Sequence, residues 1–170
     1  MDRARRRGAI WLFSVAASVY LADRLTKIWA EDRLPGGPIE VIAGVLTFRF
    51  ATNPGGAFSL GQSAPEFFAA ITVVVAALIV VTAFRHTSVV TALALGLVLG
   101  GALGNLTDRV TRGERFSGHV VDFIDLQIWP VFNLADAAIV VGAAMLALGS
   151  FLGDRPRTTD ERIDERTDER

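Results

Sequence analysis

Residues 67–106 read FFAAITVVVAALIVVTAF, then RHTS, then VVTALALGLVLGGALGNL. The runs Phe67 to Phe84 and Val89 to Leu106 contain no charged residue. Each has the roughly 17–25 residues that a helix needs to cross a bilayer. Neither leaves a polar face for water. Both are therefore expected as membrane spans, joined by the short connection Arg85-His86-Thr87-Ser88.

Working outward, Val131 to Leu152 is a third apolar run, and Asp136 near its start is its only charge. Upstream, Gly8 to Ala22 is short for a span. It reaches spanning length if the helix continues through Asp23, Arg24 and Lys27 towards Ala30, which puts those polar groups at the far interface. The basic start, Asp2-Arg3-Ala4-Arg5-Arg6-Arg7, imitates a secretory signal peptide. The helical spacing of Asp23 and Lys27 and the three spans that follow favour a first transmembrane helix instead. The expected fold is an all-α membrane protein of four transmembrane helices.

Composition agrees. Of 170 residues, 51% are hydrophobic, more than a soluble domain of this size needs. The net charge of -1 carries no basic excess of the kind that marks nucleic-acid binding. The absence of cysteine excludes disulfides and thiolate chemistry. Two histidines, His86 and His119, are too few for a histidine-rich metal site, and no metal or other cofactor is expected. The Arg-rich start belongs in the cytoplasm by the positive-inside rule. Four crossings bring the C-terminus back there and leave the segments Asp23 to Glu66 and Thr107 to Pro130 outside.

Those outer segments carry extended patterns. Pro35-Gly36-Gly37-Pro38 is a turn signal. Leu46, Phe48 and Phe50 then alternate with Thr47, Arg49 and Ala51, the period of a strand. Asn53-Pro54-Gly55-Gly56 closes it with a turn. His119 to Trp129, rich in Val, Ile and Phe, also reads as extended, so a small β-structured cap is expected on the outer face. At the other end, Asp-Glu-Arg recurs from Asp160, Asp164 and Asp168. Residues 154–170 have too little apolar surface for a core and are expected as a disordered tail behind a membrane domain spanning 1–153. In the third span Gly96, Gly100 and Gly104 form a flat stripe suited to close helix approach.

Polar groups in such a chain need a reason. A carboxylate within or bordering a span costs several kcal/mol unless hydrated or paired, which makes Asp136 a functional candidate. Capping of a helix start is its structural alternative. Asn133, three residues earlier, is expected on the same face. Asp122 interrupts the apolar run Gly118 to Ile124; a solvent-facing Asp on a one-sided strand is the alternative there. Asp125 falls on the opposite face and is the weaker candidate. Asn105, Asp108 and Arg109 form a polar cluster ending the third span. Asp23 and Lys27 are an (i, i+4) pair, worth a few tenths of a kcal/mol if exposed. Under the four-span arrangement Asp23, Asn53, Asn105, Arg109, Asp122, Asn133 and Asp136 all lie near one surface. Two carboxylates there, without metal ligands or cysteine, point to paired-acid chemistry, in which one acid keeps a proton and the other activates water.

These residues also carry a family resemblance. Asp23-Arg24-Leu25-Thr26-Lys27, Asn53-Pro54-Gly55-Gly56-Ala57-Phe58-Ser59, Gly100 to Arg109, Gly118 to Phe123 and Phe132 to Asp136 resemble, in order, five motifs of the lipoprotein signal peptidases (signal peptidase II). The resemblance runs from about Trp11 to Phe151. It implies four transmembrane helices with a small extracytoplasmic β-cradle, in a bacterial plasma-membrane aspartic endopeptidase. The implied substrate is a diacylglyceryl-modified prolipoprotein, cut N-terminal to its lipidated cysteine, with membrane lipid around it and globomycin-type inhibitors as further ligands. By position, Asp122 and Asp136 match the catalytic pair. Asn105, Arg109 and Asn133 match site-supporting positions, and Asp23, Lys27, Asn53 and Gly55 match positions that shape the pocket. Two rival readings remain at this stage. A small transporter is disfavoured because the polar groups gather at one interface and no inverted repeat is apparent. A non-catalytic assembly subunit would use the glycine stripe as a docking face.

Overall fold

The computed structural model describes residues 3–54, 65–85, 88–114 and 116–153. Gly55, His86 and the charged 154–170 segment lie outside the described residues. The elements run in the order α1 (Arg3–Arg33), β1 (Ile39–Ile42), β2 (Leu46–Asn53), α2 (Pro65–Thr82), α3 (Val89–Thr111), β3 (Val120–Asp125) and α4 (Leu134–Gly153).

Among the described residues, α1, α3 and α4 are long and apolar enough to cross a membrane, and α2 is a shorter apolar helix. The first helix does continue through Asp23, Arg24 and Lys27. Its 31 residues make it about 46 Å long, well beyond the ~30 Å of bilayer hydrocarbon. Many large apolar side chains face outward, among them Val74, Leu78 and Val81 on α2 and Val140 and Leu148 on α4. In water they would form an adhesive patch far larger than a soluble monomer shows; in lipid they are at home.

α3 is the central helix and packs on α1, α2 and α4. The glycine stripe is what lets it. A Cβ on Gly96 would stand 2.7 Å from the carbonyl oxygen of Leu12, and one on Gly100 2.6 Å from that of Ala16. The other side of α3 is as close: a Cβ on Gly101 would run into the Ala135 carbonyl oxygen. α4 reciprocates with Gly142, whose Cβ would come within 2.7 Å of the Ala94 carbonyl oxygen. Without a hydrophobic force between helices in lipid, such backbone proximity supplies the van der Waals contact that holds a bundle together. Ser88 starts α3 by accepting the Thr91 backbone N–H at 3.1 Å, an N-cap.

The cap is a three-stranded antiparallel sheet in the order β1-β2-β3. β1 was not anticipated; four residues beside a Pro/Gly cluster give little period to read. β2 pairs Phe48 with Ile124 but Ala51 with Asp122, so one extra residue bulges from it. The simple alternation of Leu46, Phe48 and Phe50 therefore fails. Phe48 packs inward against Trp29 and Phe123, while Phe50 is exposed. Bulges bend a strand and re-aim the side chains beyond it. The sheet rests on the end of α1, where Ala30, Leu34, Val121 and Phe123 make a small core.

Two boundaries differ from expectation. β3 ends at Asp125, where Trp129 was expected, and α4 begins at Leu134, where Val131 was expected. Phe132 instead bridges to Ile124, donating its N–H at 3.0 Å and accepting one at 2.8 Å. Apolar composition alone cannot tell such a bridge from the first turn of a span.

Candidate active site

The first turn of α4 is built by a reciprocal cap. Asn133 Oδ1 accepts the Asp136 backbone N–H at 2.9 Å, and Asp136 Oδ2 accepts the Asn133 N–H at 3.4 Å. This is the capping-box arrangement with Asp in the reaching-back position. Asp136 therefore does cap a helix start, and the same carboxylate remains available to its surroundings. The cap also fixes the Asn133 amide. With its oxygen used by Asp136 N–H, its Nδ2 turns to Asp122 Oδ1 at 2.6 Å and to Asn105 Oδ1 at 3.2 Å. Asn105 Nδ2 in turn donates to Asp136 Oδ1 at 2.7 Å. The two acids expected as a pair are thus both hydrogen-bonded to Asn133, although 14 residues of chain separate them (136 less 122).

Asp122 is not the solvent-facing Asp of a one-sided strand. It is only 3% exposed, and Asn53, across the sheet, hydrogen-bonds to it. Burial, and next the charge of Asp136, push its carboxyl up to about 7. The amides of Asn133 and Asn53 oppose this by stabilising the ionised form. Asp125, three residues on, is occupied elsewhere. Arg49 Nε lies 2.5 Å from its Oδ2, and its Oδ1 accepts the Gln127 N–H at 2.8 Å. Arg49 holds this carboxyl below the usual range.

The condition set for a weak Asp23–Lys27 pair, exposure, is not met. Both side chains are fully buried, so this is not a weak exposed helix pair. Lys27 Nζ lies 2.9 Å from Asp23 Oδ2, 2.8 Å from Asp108 Oδ2 and 2.8 Å from Asn105 Oδ1. Asp23 uses its other oxygen to accept the Ala135 N–H at 3.0 Å, tying α1 to the head of α4. Within the expected cluster of Asn105, Asp108 and Arg109, Lys27 bridges the first two. Asp108 turns towards α1 and meets Arg24, Lys27 and Arg112, the last of which also pairs with Glu31. Asn105 and Arg109 turn towards Asp136; Arg109 is 7% exposed and feels the charges of Asp136 and Asp122.

Beside these groups lies a cavity of about 330 Å³ between α2, α3 and α4. Its polar end is Asn53, Asn105, Arg109 and Asp136. Apart from Thr72 the remaining helix residues are apolar: Phe68, Ile71 and Val75 from α2, Ala102 and Val98 from α3, Ile139 and Val140 from α4. The segment Trp129 to Phe132 closes one side, a contribution that sequence reading missed. Asp122 does not line the cavity among the described residues; Asn53, which does, links it there. The chemistry on offer is two carboxyls joined by amides, one of which, Asp136, lines a mostly apolar slot.

Sequence comparison decides the family. The signal peptidase (SPase) II family profile matches residues 15–152. The chain belongs to the signal peptidase II family. It is 41% identical to a lipoprotein signal peptidase of Rhodococcus jostii, over 90% of this chain and 78% of the relative. A lipoprotein signal peptidase of Streptomyces coelicolor is 43% identical over 92% of this chain and 78% of its own length. Two solved structures of a bacterial membrane enzyme share the fold. One has a TM-score of 0.77 at 27% identity, covering 87% of this chain and 92% of its own. The other has 0.73 at 29%, covering 85% and 94%. Family membership makes the chain a multi-pass membrane peptidase of bacterial type.

Proposed function

We propose that this signal peptidase II family member is an aspartic endopeptidase that removes the signal peptide from diacylglyceryl-modified prolipoproteins, cutting on the N-terminal side of the lipidated cysteine. The observation that carries this reading is that Asn133 holds both Asp122 and, through the α4 cap, Asp136, and that Asp136 lines a mostly apolar cavity. Such a site takes a peptide bond at its polar end and an apolar signal segment or acyl chain along its walls.

In the proposed mechanism Asp122 holds the shared proton and Asp136 is the base. Water gives a proton to Asp136 as its oxygen attacks the scissile carbonyl carbon, and Asp122 donates its proton to the carbonyl oxygen. The resulting gem-diol collapses as Asp136 passes its proton to the leaving nitrogen and Asp122 recovers one from a hydroxyl. The C–N bond breaks, leaving a carboxyl on the signal peptide and a free amine on the lipidated cysteine. No acyl-enzyme forms. Asn105 and Asn133 hold the two acids, and Arg109 offers positive charge to the developing oxyanion. Asp23 and Lys27 brace this set from α1, and Asn53, with Gly55 in the adjoining motif, shapes the pocket.

In this reading α2 is a fourth crossing. Its 18 residues extend about 27 Å, within one turn of the bilayer hydrocarbon thickness of ~30 Å. Both termini are then cytoplasmic, residues 1–153 form one peptidase domain with a β-cradle near the outer surface, and 154–170 is a charged tail. Globomycin-type inhibitors are expected to block this activity. Conversion of a diacylated precursor, followed by gel shift with and without globomycin, tests the proposal. Asp122→Asn and Asp136→Asn proteins that reach the membrane should leave the precursor uncut. Normal conversion by either one refutes the paired-acid assignment.

A further inference from the structure

Lys27 is a buried cation one residue removed from the acids. Three oxygens surround its ammonium: Asp23 Oδ2 at 2.9 Å, Asp108 Oδ2 at 2.8 Å and Asn105 Oδ1 at 2.8 Å. An ammonium only donates. Asn105 must therefore turn its oxygen to Lys27, which obliges its NH2 to face the other way, where Asp136 Oδ1 accepts it at 2.7 Å. With the amide reversed, the NH2 would face the ammonium and a carbonyl oxygen would oppose the Asp136 carboxylate. The second donor onto Asn105 Oδ1, Asn133 Nδ2 at 3.2 Å, depends on the α4 cap and is the longer contact.

We propose that Lys27 is a positioning residue: by dictating the orientation of the Asn105 amide it secures the donor that keeps Asp136 in place as the base. The inference rests on the aspartic-peptidase reading above. Asp23 and Asp108 hold the ammonium still, one from α1 and one from α3. Asp108 is itself also held by Arg24 and Arg112. The charged groups facing Asp136 are then Lys27 through Asn105, Arg109 from α3 and Asp122 from β3. Losing the Asn105 donor removes a contact that stabilises the ionised form, so the acid pair holds its proton more tightly.

The test uses the full-length protein in detergent or vesicles with a diacylated precursor. Lys27→Met alone strands two buried carboxylates, so it is paired with Asp23→Asn. That keeps an acceptor for Ala135 N–H and leaves Asp108 with its two arginines. The double variant should lower kcat about 10–100-fold, the worth of one hydrogen bond to a charged group. KM should change little, and both limbs of the pH–rate profile should move up by about one pH unit. Asn105→Asp keeps the shape and the acceptor that Lys27 requires but has no NH2. It should reproduce the lowered kcat and the displaced profile, and it decides the matter if the double variant does not accumulate in the membrane. Wild-type kcat in either folded variant, or a lowered kcat with an unmoved profile, overturns the assignment. Asp136→Asn separates the two levels. If it still cuts, the peptidase reading itself fails; if it is inactive while the Lys27 and Asn105 variants behave as wild type, only this inference does.

Discussion

Asp122→Asn should stabilise the protein at alkaline pH while removing its activity. The Asp122 carboxyl has an ordinary value of 3.8 and is raised to about 7 in the fold by burial and by Asp136. Between those values the folded state binds more protons than the unfolded chain, so stability falls as pH rises, and the loss is complete above about 7. At about 1.4 kcal/mol per tenfold change in the ionisation constant, the full cost is about 4 kcal/mol. At pH 5 only the part above 3.8 has accrued, somewhat under 2 kcal/mol. Asparagine carries no such cost. Its Oδ1 still accepts from Asn133 Nδ2, whose hold on the ionised form is already contained in the raised value. The expected net gain is then about 4 kcal/mol at pH 8 and somewhat under 2 kcal/mol at pH 5. Thermal unfolding in detergent, followed by tryptophan fluorescence at both pH values for wild type and variant, measures this directly. A variant whose melting temperature tracks the wild type from pH 5 to 8, or falls below it at pH 8, contradicts the account of Asp122 as a buried acid beside a second acid.

The same proton should appear in turnover. kcat is expected to decline as pH rises past about 7, because the pair then loses the proton that the carbonyl oxygen needs; a rate still rising through pH 9 in a coupled precursor assay would contradict this. Gly100→Ala should weaken the α1–α3 seam, since its Cβ would stand 2.6 Å from the Ala16 carbonyl oxygen. Forcing backbone apart typically costs about 1–3 kcal/mol, to be seen as a lower melting temperature, and an unchanged one would mean that the seam yields freely.

How far the fold and site could be read beforehand depended on the range of the interaction. The helices announced themselves because long uncharged runs such as Val89 to Leu106 have few other stable homes. The start of α4 was misplaced because Val131 and Phe132 are as apolar as a span, yet Phe132 is engaged by Ile124. Asn133 and Asp136, at capping-box spacing, were the signal that would have set the boundary. Lys27 was visible only as the partner of Asp23. Its other contacts, Asn105 and Asp108, lie 78 and 81 residues away in the chain (105 and 108 less 27), and no local periodicity reaches that far. The pairs of Glu31 with Arg112 and Arg24 with Asp108 escaped for the same reason. Phe50 was misassigned because a bulge leaves no mark in a run that otherwise alternates.

The reciprocal cap at the head of α4 has a consequence for how the molecule can be observed. The carboxylate at the polar end of the cavity is also the clasp that fastens the opening turn of a membrane helix. Anything that competes for Asp136 must loosen that clasp, and anything that immobilises it must tighten it. Deuterium uptake at the amides of Asn133 and Asp136 therefore becomes a gauge of what the site holds, readable without a substrate being turned over.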